Sequence, residues 1–328
     1  MSPFLMTRTT PEYAVRAALR DDVLRGLKAS PKWLPPKWFY DAHGSELFER
    51  ITSGVPEYYP GRTERDILRT RAADIAAATR ARTLVELGSG SSEKTHYLLD
   101  AMPDLEAYVP LDVSESTLVQ AGHTLLAERP GLTVHALIGD FTAGLYLPGT
   151  PRPRLIAFLG GTIGNLLPVE RAGLLSSLRS LLFPGDGLLL GVDLVKDEDT
   201  LIAAYDDRDG VTAAFNKNVL TVINRELDAA FDPDTFDHVA VWDPRQEWIE
   251  MRLRSRTRQR VKIAALDLEV AFTAGEDLRT EISAKFRDDG LTRELALSGL
   301  KLDRLWKDPD GLYALALATR AEAPEATR

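Results

Sequence analysis

The spacing of apolar residues changes along this chain, and each change marks a different kind of element. Residues 11–29 carry Val15, Ala18, Leu19, Val23 and Leu27 at the three-to-four spacing of one helix face. Pro31, Pro35 and Pro36 end that helix, and a second, short one is expected over 45–51. Between and after them lie two aromatic clusters. Trp38, Phe39 and Tyr40 run into a turn at Gly44, and Tyr58 and Tyr59 stand between Pro56 and Pro60, which hold them extended. Clustered aromatics often pack a core, but tyrosines also offer a flat face and a hydroxyl to a ligand. Thr63, with Asp66 three residues on, reads as the cap of a helix whose apolar stripe is Ile67, Leu68, Ala72, Ile75 and Ala76.

From residue 83 the pattern alternates. Continuous apolar runs at 83–87, 108–113, 132–138, 155–159 and 188–194 are separated by helical patterns that include 93–101, 115–128 and 168–182. Runs of this kind with helices between them predict a parallel sheet covered on both faces. Residues 196–284 break the alternation: 203–228 reads as helix, and 239–242, 248–258 and 261–272 alternate with period two, as antiparallel strands do. There Met251, Leu253 and Ser255 share one face, so Met251 points inward, and the arginines from Arg252 to Arg258 form a solvated row rather than an anion site. A helix at 292–298 and runs at 300–306 and 312–318, joined by Asp308-Pro309-Asp310-Gly311, predict a closing antiparallel hairpin. The expected fold class is α/β: a Rossmann-like parallel sheet with an antiparallel C-terminal hairpin, formed by 62–195 and 285–320, plus an α+β domain of 1–61 and 196–284. Residues 321–328 read as a disordered tail.

Ligands of such sheets gather beyond the carboxyl ends of the strands. The first strand ends in Glu86-Leu87-Gly88-Ser89-Gly90, followed by Ser91-Ser92-Glu93-Lys94-Thr95. Gly88 and Gly90 permit a tight turn and a close ligand approach. No P-loop is present, because no glycine stands beside Lys94. A dinucleotide fingerprint would place a third glycine where Glu93 stands, and a carboxylate there repels a pyrophosphate but not a cationic ligand. This disfavours a nicotinamide-dependent oxidoreductase. Asp112 follows Glu86 by 26 residues at the end of the second strand, where an acid can accept from both ribose hydroxyls. Asp140 ends the third strand, placed for an adenine amino group, with Phe141 beside it to stack on the ring. Any one acid at a strand end is unremarkable, but the Gly turn, Asp112 and Asp140 in this order point to a nucleoside-bearing, cationic cofactor.

Composition narrows the class further. The chain has 328 residues and a net charge of −9, which argues against a nucleic-acid partner. It has no cysteine, and its histidines (43, 96, 123, 135 and 238) lack metal-ligand spacing, so no metal is expected. There is no apolar leader or membrane span, and a cytoplasmic, monomeric enzyme with no membrane partner is the expectation.

The turn Glu86-Leu87-Gly88-Ser89-Gly90 resembles motif I of the class I S-adenosylmethionine-dependent methyltransferases. Together with Pro-Glu-Tyr58-Tyr-Pro, Gly-Thr-Ile-Gly-Asn165, Ala-Tyr205-Asp-Asp and Thr-Glu281-Ile-Ser283-Ala-Lys-Phe, it resembles the L-histidine Nα-methyltransferases of ergothioneine biosynthesis. The resemblance covers nearly the whole chain. It implies three methylations of the histidine α-amino group, giving hercynine, with S-adenosylmethionine as co-substrate and residues 1–61 and 196–284 as substrate domain. It places Gly88, Gly90, Lys94, Asp112, Asp140 and Phe141 at the cofactor, and Tyr58, Asn165, Tyr205, Glu281 and Ser283 at the substrate. Met251 and Tyr40 are expected as further walls of the substrate site, and no residue is assigned as general base. If 280–284 is extended, Glu281 and Ser283 face the same way and suit the two nitrogens of an imidazole. A related enzyme acting on another amino acid, such as tryptophan, is the alternative, and residues 251, 281 and 283 discriminate.

Overall fold

The structure is a computed structural model that describes residues 4–321, so the tail expected at 321–328 lies, beyond Ala321, outside the described residues. In chain order the elements are β1 (Phe4–Arg8), α1 (Glu12–Lys28), β2 (Lys32–Trp33), α2 (Ala42–Gly54), α3 (Tyr59–Thr79) and β3 (Thr83–Leu87). They continue with α4 (His96–Ala101), β4 (Ala107–Asp112), α5 (Glu115–Glu128), β5 (Thr133–Ile138), β6 (Arg154–Phe158), α6 (Pro168–Leu181) and β7 (Gly187–Asp193). Next are α7 (Glu198–Tyr205), α8 (Val211–Leu227), β8 (Phe236–Asp243), β9 (Trp248–Ser255), β10 (Gln259–Ile263) and β11 (Leu268–Phe272). The last are β12 (Asp277–Ala284), α9 (Asp288–Leu297), β13 (Leu300–Lys307) and β14 (Tyr313–Arg320). The chain divides into two compact units: Met1–Thr10, Thr63–Leu194 and Phe286–Arg328, in their described residues, and Pro11–Arg62 with Val195–Lys285.

The first unit is built on an eight-stranded sheet in the order β1-β5-β4-β3-β6-β7-β14-β13. The strands from β1 to β7 run parallel, and β14 and β13 close the sheet antiparallel to β7 and to each other. β3, β6 and β7 are buried along their whole length, which is why they read as predominantly apolar runs without alternation. The pleat sends Val85, Ile156, Leu188 and Leu190 to one face and Leu84, Leu155, Leu189 and Leu315 to the other. Each such side chain, fully buried, contributes roughly 1.5–3 kcal/mol.

Residues 4–10 belong with the first unit, not with the second as the sequence pattern implied. Phe4–Arg8 pairs parallel with β5, from Phe4 opposite Val134 to Arg8 opposite Ile138. Five residues with two exposed apolar side chains, Leu5 and Met6, carry no periodic signal; main-chain hydrogen bonds and the Phe4 ring against Gly122 place them. The helix expected to start at Thr63 begins at Tyr59, and Pro60 is accepted in its first turn, where no N–H is needed. Residues 56–58 accordingly form a turn rather than an extended run. The helix expected from 93 begins only at His96.

The second unit has a four-stranded sheet, β2-β12-β9-β8, a separate β10-β11 hairpin, and the helices α1, α2, α7 and α8. The single helix expected over 203–228 is two. Asp207 accepts from the N–H groups of Val211 (2.9 Å) and Thr212 (2.7 Å), and Gly210 takes a φ of 71°, so one helix stops and another is capped. The arginine row is answered by carboxylates: Arg252 and Arg254 by Asp277 at 3.0 and 2.7 Å, and Arg256 by Asp237 at 2.6 Å.

Glu86, read from sequence as a carboxylate near the ligand turn, is 1% exposed inside the first unit. Its Oε2 accepts from Thr95 Oγ1 at 2.7 Å and Tyr108 OH at 2.5 Å, and Tyr108 OH is also 2.8 Å from Ser92 Oγ. These bonds tie β3, β4 and the segment after the glycines into one block. Burial pushes the Glu86 carboxyl up to about 7, against the hydrogen bonds of Tyr108 and Thr95 that favour its charged form. The unfolded chain gives up this proton near 4.5 and the folded chain near 7, so stability falls as pH rises through that window. Glu86→Gln keeps the shape and removes the titration. Urea unfolding at about pH 5 and about pH 8 is expected to show the variant's stability difference smaller than wild type by ~2–3 kcal/mol; an unchanged difference would contradict this role.

Candidate active site

In the first unit, the turn after β3 rests on the end of β4. Gly88 N donates to Leu111 O at 2.7 Å and Ser89 N to the same oxygen at 3.1 Å. Gly88 and Gly90 have φ of 67° and 51°, and a Cβ at either would meet nothing within 4 Å, so their backbone borders open space. Positive φ explains the glycines, and the open space lets a ligand approach them closely. Asp112 Oδ2 accepts from Gly90 N and Oδ1 from Ser114 N, both at 2.9 Å. Each carboxylate oxygen has a second lone pair, which two ribose hydroxyls could use. Burial raises the Asp112 carboxyl above its ordinary value, opposed by those backbone donors. The main chain of Asp112 also accepts from Gly139 N at 3.0 Å, which ties the ends of β4 and β5 together.

Asp140 Oδ1 accepts from Thr142 N at 2.8 Å and Thr142 Oγ1 at 2.6 Å. Phe141 meets the Phe158 ring at 5.0 Å and 65°, and stays half-buried. Asn165 ends the short 3₁₀ turn Thr162–Asn165 after Gly160 and Gly161, whose φ are 81° and 70°.

Lys94, expected at the cofactor, has its Nζ 2.5 Å from Glu64 Oε2. An ammonium has three donors, so this bond leaves the lysine able to meet a ligand carboxylate as well. Glu64 is a residue that sequence reasoning passed over. It is fully buried, and its Oε1 accepts from Gly160 N at 2.7 Å and Tyr313 OH at 2.9 Å. Its only trace in the sequence is a charged residue on a helix face, which is ordinarily solvated.

In the second unit, Glu281 stands opposite Met251 and Ser283 opposite Ile249 in the β12–β9 register, which puts the acid, the hydroxyl and the methionine on one sheet face. All three are buried, Met251 to 2% exposure. Tyr205 OH and Ser283 Oγ are 2.7 Å apart, and Lys285 Nζ donates to both, at 2.9 and 2.8 Å. Lys285 was not expected at the site, though it continues the period-two row of Glu281 and Ser283. The Tyr58 ring meets the Tyr205 ring edge-on at 6.1 Å and the Phe48 ring at 6.5 Å; Tyr40 meets Phe48 at 5.3 Å and Phe215 at 5.5 Å. The two aromatic clusters of the sequence thus form one wall with Tyr205.

A polar brace lies behind this wall. Asn216 Nδ2 donates to His238 Nδ1 at 2.8 Å, so Nε2 carries the proton and donates to Tyr205 O at 2.7 Å. Burial keeps the His238 imidazole below its ordinary value, hence neutral. Asn216 Oδ1 accepts from Thr280 Oγ1 at 2.6 Å, beside Glu281. Among the described residues no group of His, Asp and Glu is placed to hold a metal ion, and no helix is long and apolar enough to cross a membrane.

A histidine N-alpha-methyltransferase of Mycolicibacterium smegmatis is 58% identical over 307 residues, covering 92% of this chain and 95% of that protein. The histidine N-alpha-methyltransferase of Mycobacterium tuberculosis is 53% identical over 314 residues, 94% of this chain and 97% of that one. The CcbJ methyltransferase of Streptomyces caelestis shares the fold, with a TM-score of 0.52 at 17% identity over 86% of this chain and all of that one. The profile of the histidine-specific, S-adenosylmethionine-dependent methyltransferases matches residues 19–320, and the chain belongs to that family.

Proposed function

We propose that this protein transfers methyl groups from S-adenosylmethionine to the α-amino group of L-histidine, three times in succession, to give hercynine for ergothioneine biosynthesis. The observation that carries the reading is the pairing of Glu281 and Ser283 on one buried sheet face beside Met251, in a chain whose other unit carries the Gly88–Gly90 turn held by Asp112. A carboxylate and a hydroxyl side by side answer the two nitrogens of an imidazole, and Met251 packs on the ring. The 58% and 53% identity to two histidine N-alpha-methyltransferases, over nearly the whole of each chain, supports the same assignment.

S-adenosylmethionine is the co-substrate, and the residues fit it. The open backbone at Gly88 and Gly90 admits the amino-acid end, Lys94 answers its carboxylate, Asp112 the ribose, and Asp140 with Phe141 the adenine. When bound, it supplies an electrophilic methyl group on a sulfonium. Tyr58, Tyr205 and Asn165 bind and orient the amino acid without adding charge, and Tyr40 extends the wall. Transfer needs the amine lone pair and an in-line approach rather than a covalent nucleophile. The amine must shed its proton to free the lone pair; no residue is assigned as its base, and solvent can take that proton.

Histidine incubated with the protein and S-adenosylmethionine should give mono-, di- and trimethylated species by mass spectrometry, with all methyls on the α-nitrogen. Histidine left unmodified, or methylated on the ring, would overturn the assignment. Asp112→Ala should weaken S-adenosylmethionine binding by ~1–3 kcal/mol, about 5- to 150-fold in Kd by calorimetry; equal affinity would remove Asp112 from the ribose. Glu281→Ala should lower kcat/KM for histidine by roughly 100-fold through the lost charged hydrogen bond, and that for tryptophan far less. A loss shared equally by the two substrates would mean that Glu281 only supports the fold.

A further inference from the structure

Resting on the histidine reading above, we propose that Lys285 is a positioning residue that makes Ser283 a hydrogen-bond donor and thereby selects the neutral form of the substrate's imidazole. A serine hydroxyl has one proton to give and two lone pairs to accept with. Lys285 Nζ, which can only donate, lies 2.8 Å from Ser283 Oγ and fills one lone pair. Tyr205 OH lies 2.7 Å from the same oxygen. The phenol is the more acidic hydroxyl and the better donor, and its own oxygen already accepts from Lys285 at 2.9 Å. We assign Tyr205 as the donor of this pair, which fills the second lone pair of Ser283. What Ser283 can still offer a ligand is its proton.

Glu281, two residues before it on the same face, is acceptor-only when ionised. The pair thus presents one acceptor and one donor. A neutral imidazole has one N–H and one bare nitrogen and matches both. An imidazolium has two N–H groups, and the second would point at the Ser283 proton. Lys285 thus lets a carboxylate-bearing site discriminate against the cation that a carboxylate alone would prefer.

The other titratable and charged groups around the row do not reverse this logic. Tyr205 is part of the triangle, and Tyr58 meets its ring edge-on. His238 on β8 is neutral and occupied with the carbonyl of Tyr205, with the Asp206 carboxylate 3.8 Å from its Nε2. From β9 the residues opposite Glu281 and Ser283 are Met251 and Ile249, both apolar, and Glu247 contributes its main-chain carbonyl to Lys285 N at 2.8 Å.

The test is calorimetry of histidine binding to the protein saturated with S-adenosylhomocysteine, between about pH 5.5 and about pH 8, with 1,2,4-triazolylalanine as a probe whose ring stays neutral. Histidine affinity should fall roughly tenfold per pH unit below the imidazole pKa of ~6.5, while that of triazolylalanine stays level, because any titration of the protein itself would move both. In Lys285→Met a lone pair of Ser283 is released and the imidazolium gains an acceptor, so the acid loss of histidine affinity should shrink to about threefold or less per unit. Should that variant not fold, Tyr205→Phe releases the other lone pair and should flatten the profile in the same direction. Histidine affinity in the wild type that holds or rises on acidification, or a wild-type slope in a folded variant, would overturn the role of Lys285. A wild type that binds and trimethylates histidine with such a flat profile sinks this proposal alone, whereas a protein that binds no histidine sinks the substrate assignment with it.

Discussion

The bond from Gly90 N to the Asp112 carboxylate is the contact on which the rest of the proposed cofactor surface depends. It joins the turn after one strand to the end of its neighbour, so that two loops become one rigid edge. The Gly139 N–H bound to Asp112 O extends that edge to a third strand. Strand ends frequently fray, and a ligand gains little from loops it must first order. A carboxylate that has already collected two backbone donors is pinned in place, and its spare lone pairs are aimed before any ligand arrives.

Glu64 does the same for the far side of the sheet, at greater electrostatic risk. A fully buried carboxylate is tolerable only when each oxygen has strong partners. Here they are Lys94, Tyr313 OH and the Gly160 N–H, which opens the turn leading to Asn165. The strand beneath is cut to make room. A Cβ at Gly191 would lie 2.1 Å from Glu64 Oε1 and 2.6 Å from Tyr313 OH, so that position in a buried strand stays glycine. Three sequence-distant residues, Glu64, Gly191 and Tyr313, thus set the loop that carries Asn165 and the lysine that follows the glycine turn.

The parallel sheet, its closing hairpin and the acids at two of its strand ends could be read from the chain because their physics is local: apolar runs, Gly turns, and Asp112 and Asp140 where the second and third runs end. Strand alternation puts Glu281 and Ser283 on one face, while the pairing of β9 with β12 is what sets Met251 beside them. What escaped depends on tertiary pairing. Phe4–Arg8 has no pattern of its own and is a strand only because β5 offers an edge. The break at Asp207 and Gly210 looks like a polar stretch of one helix until the carboxylate is seen capping the next. Glu64 and Lys285 carry no spacing signal that marks them as buried, and Glu86 stands in a turn that reads as open to a ligand. All three are buried, and only their partners across the fold explain why. Charged residues inside a sheet protein are where sequence patterns mislead most, because burial of charge follows from partners that no spacing rule records.

A crystal structure of the protein with S-adenosylhomocysteine and L-histidine tests the whole account most directly. Both ribose hydroxyls are expected on the Asp112 carboxylate, and the imidazole between Glu281 and Ser283 with Met251 against its face. An imidazole seated away from Glu281, or a ribose that does not touch Asp112, would contradict it.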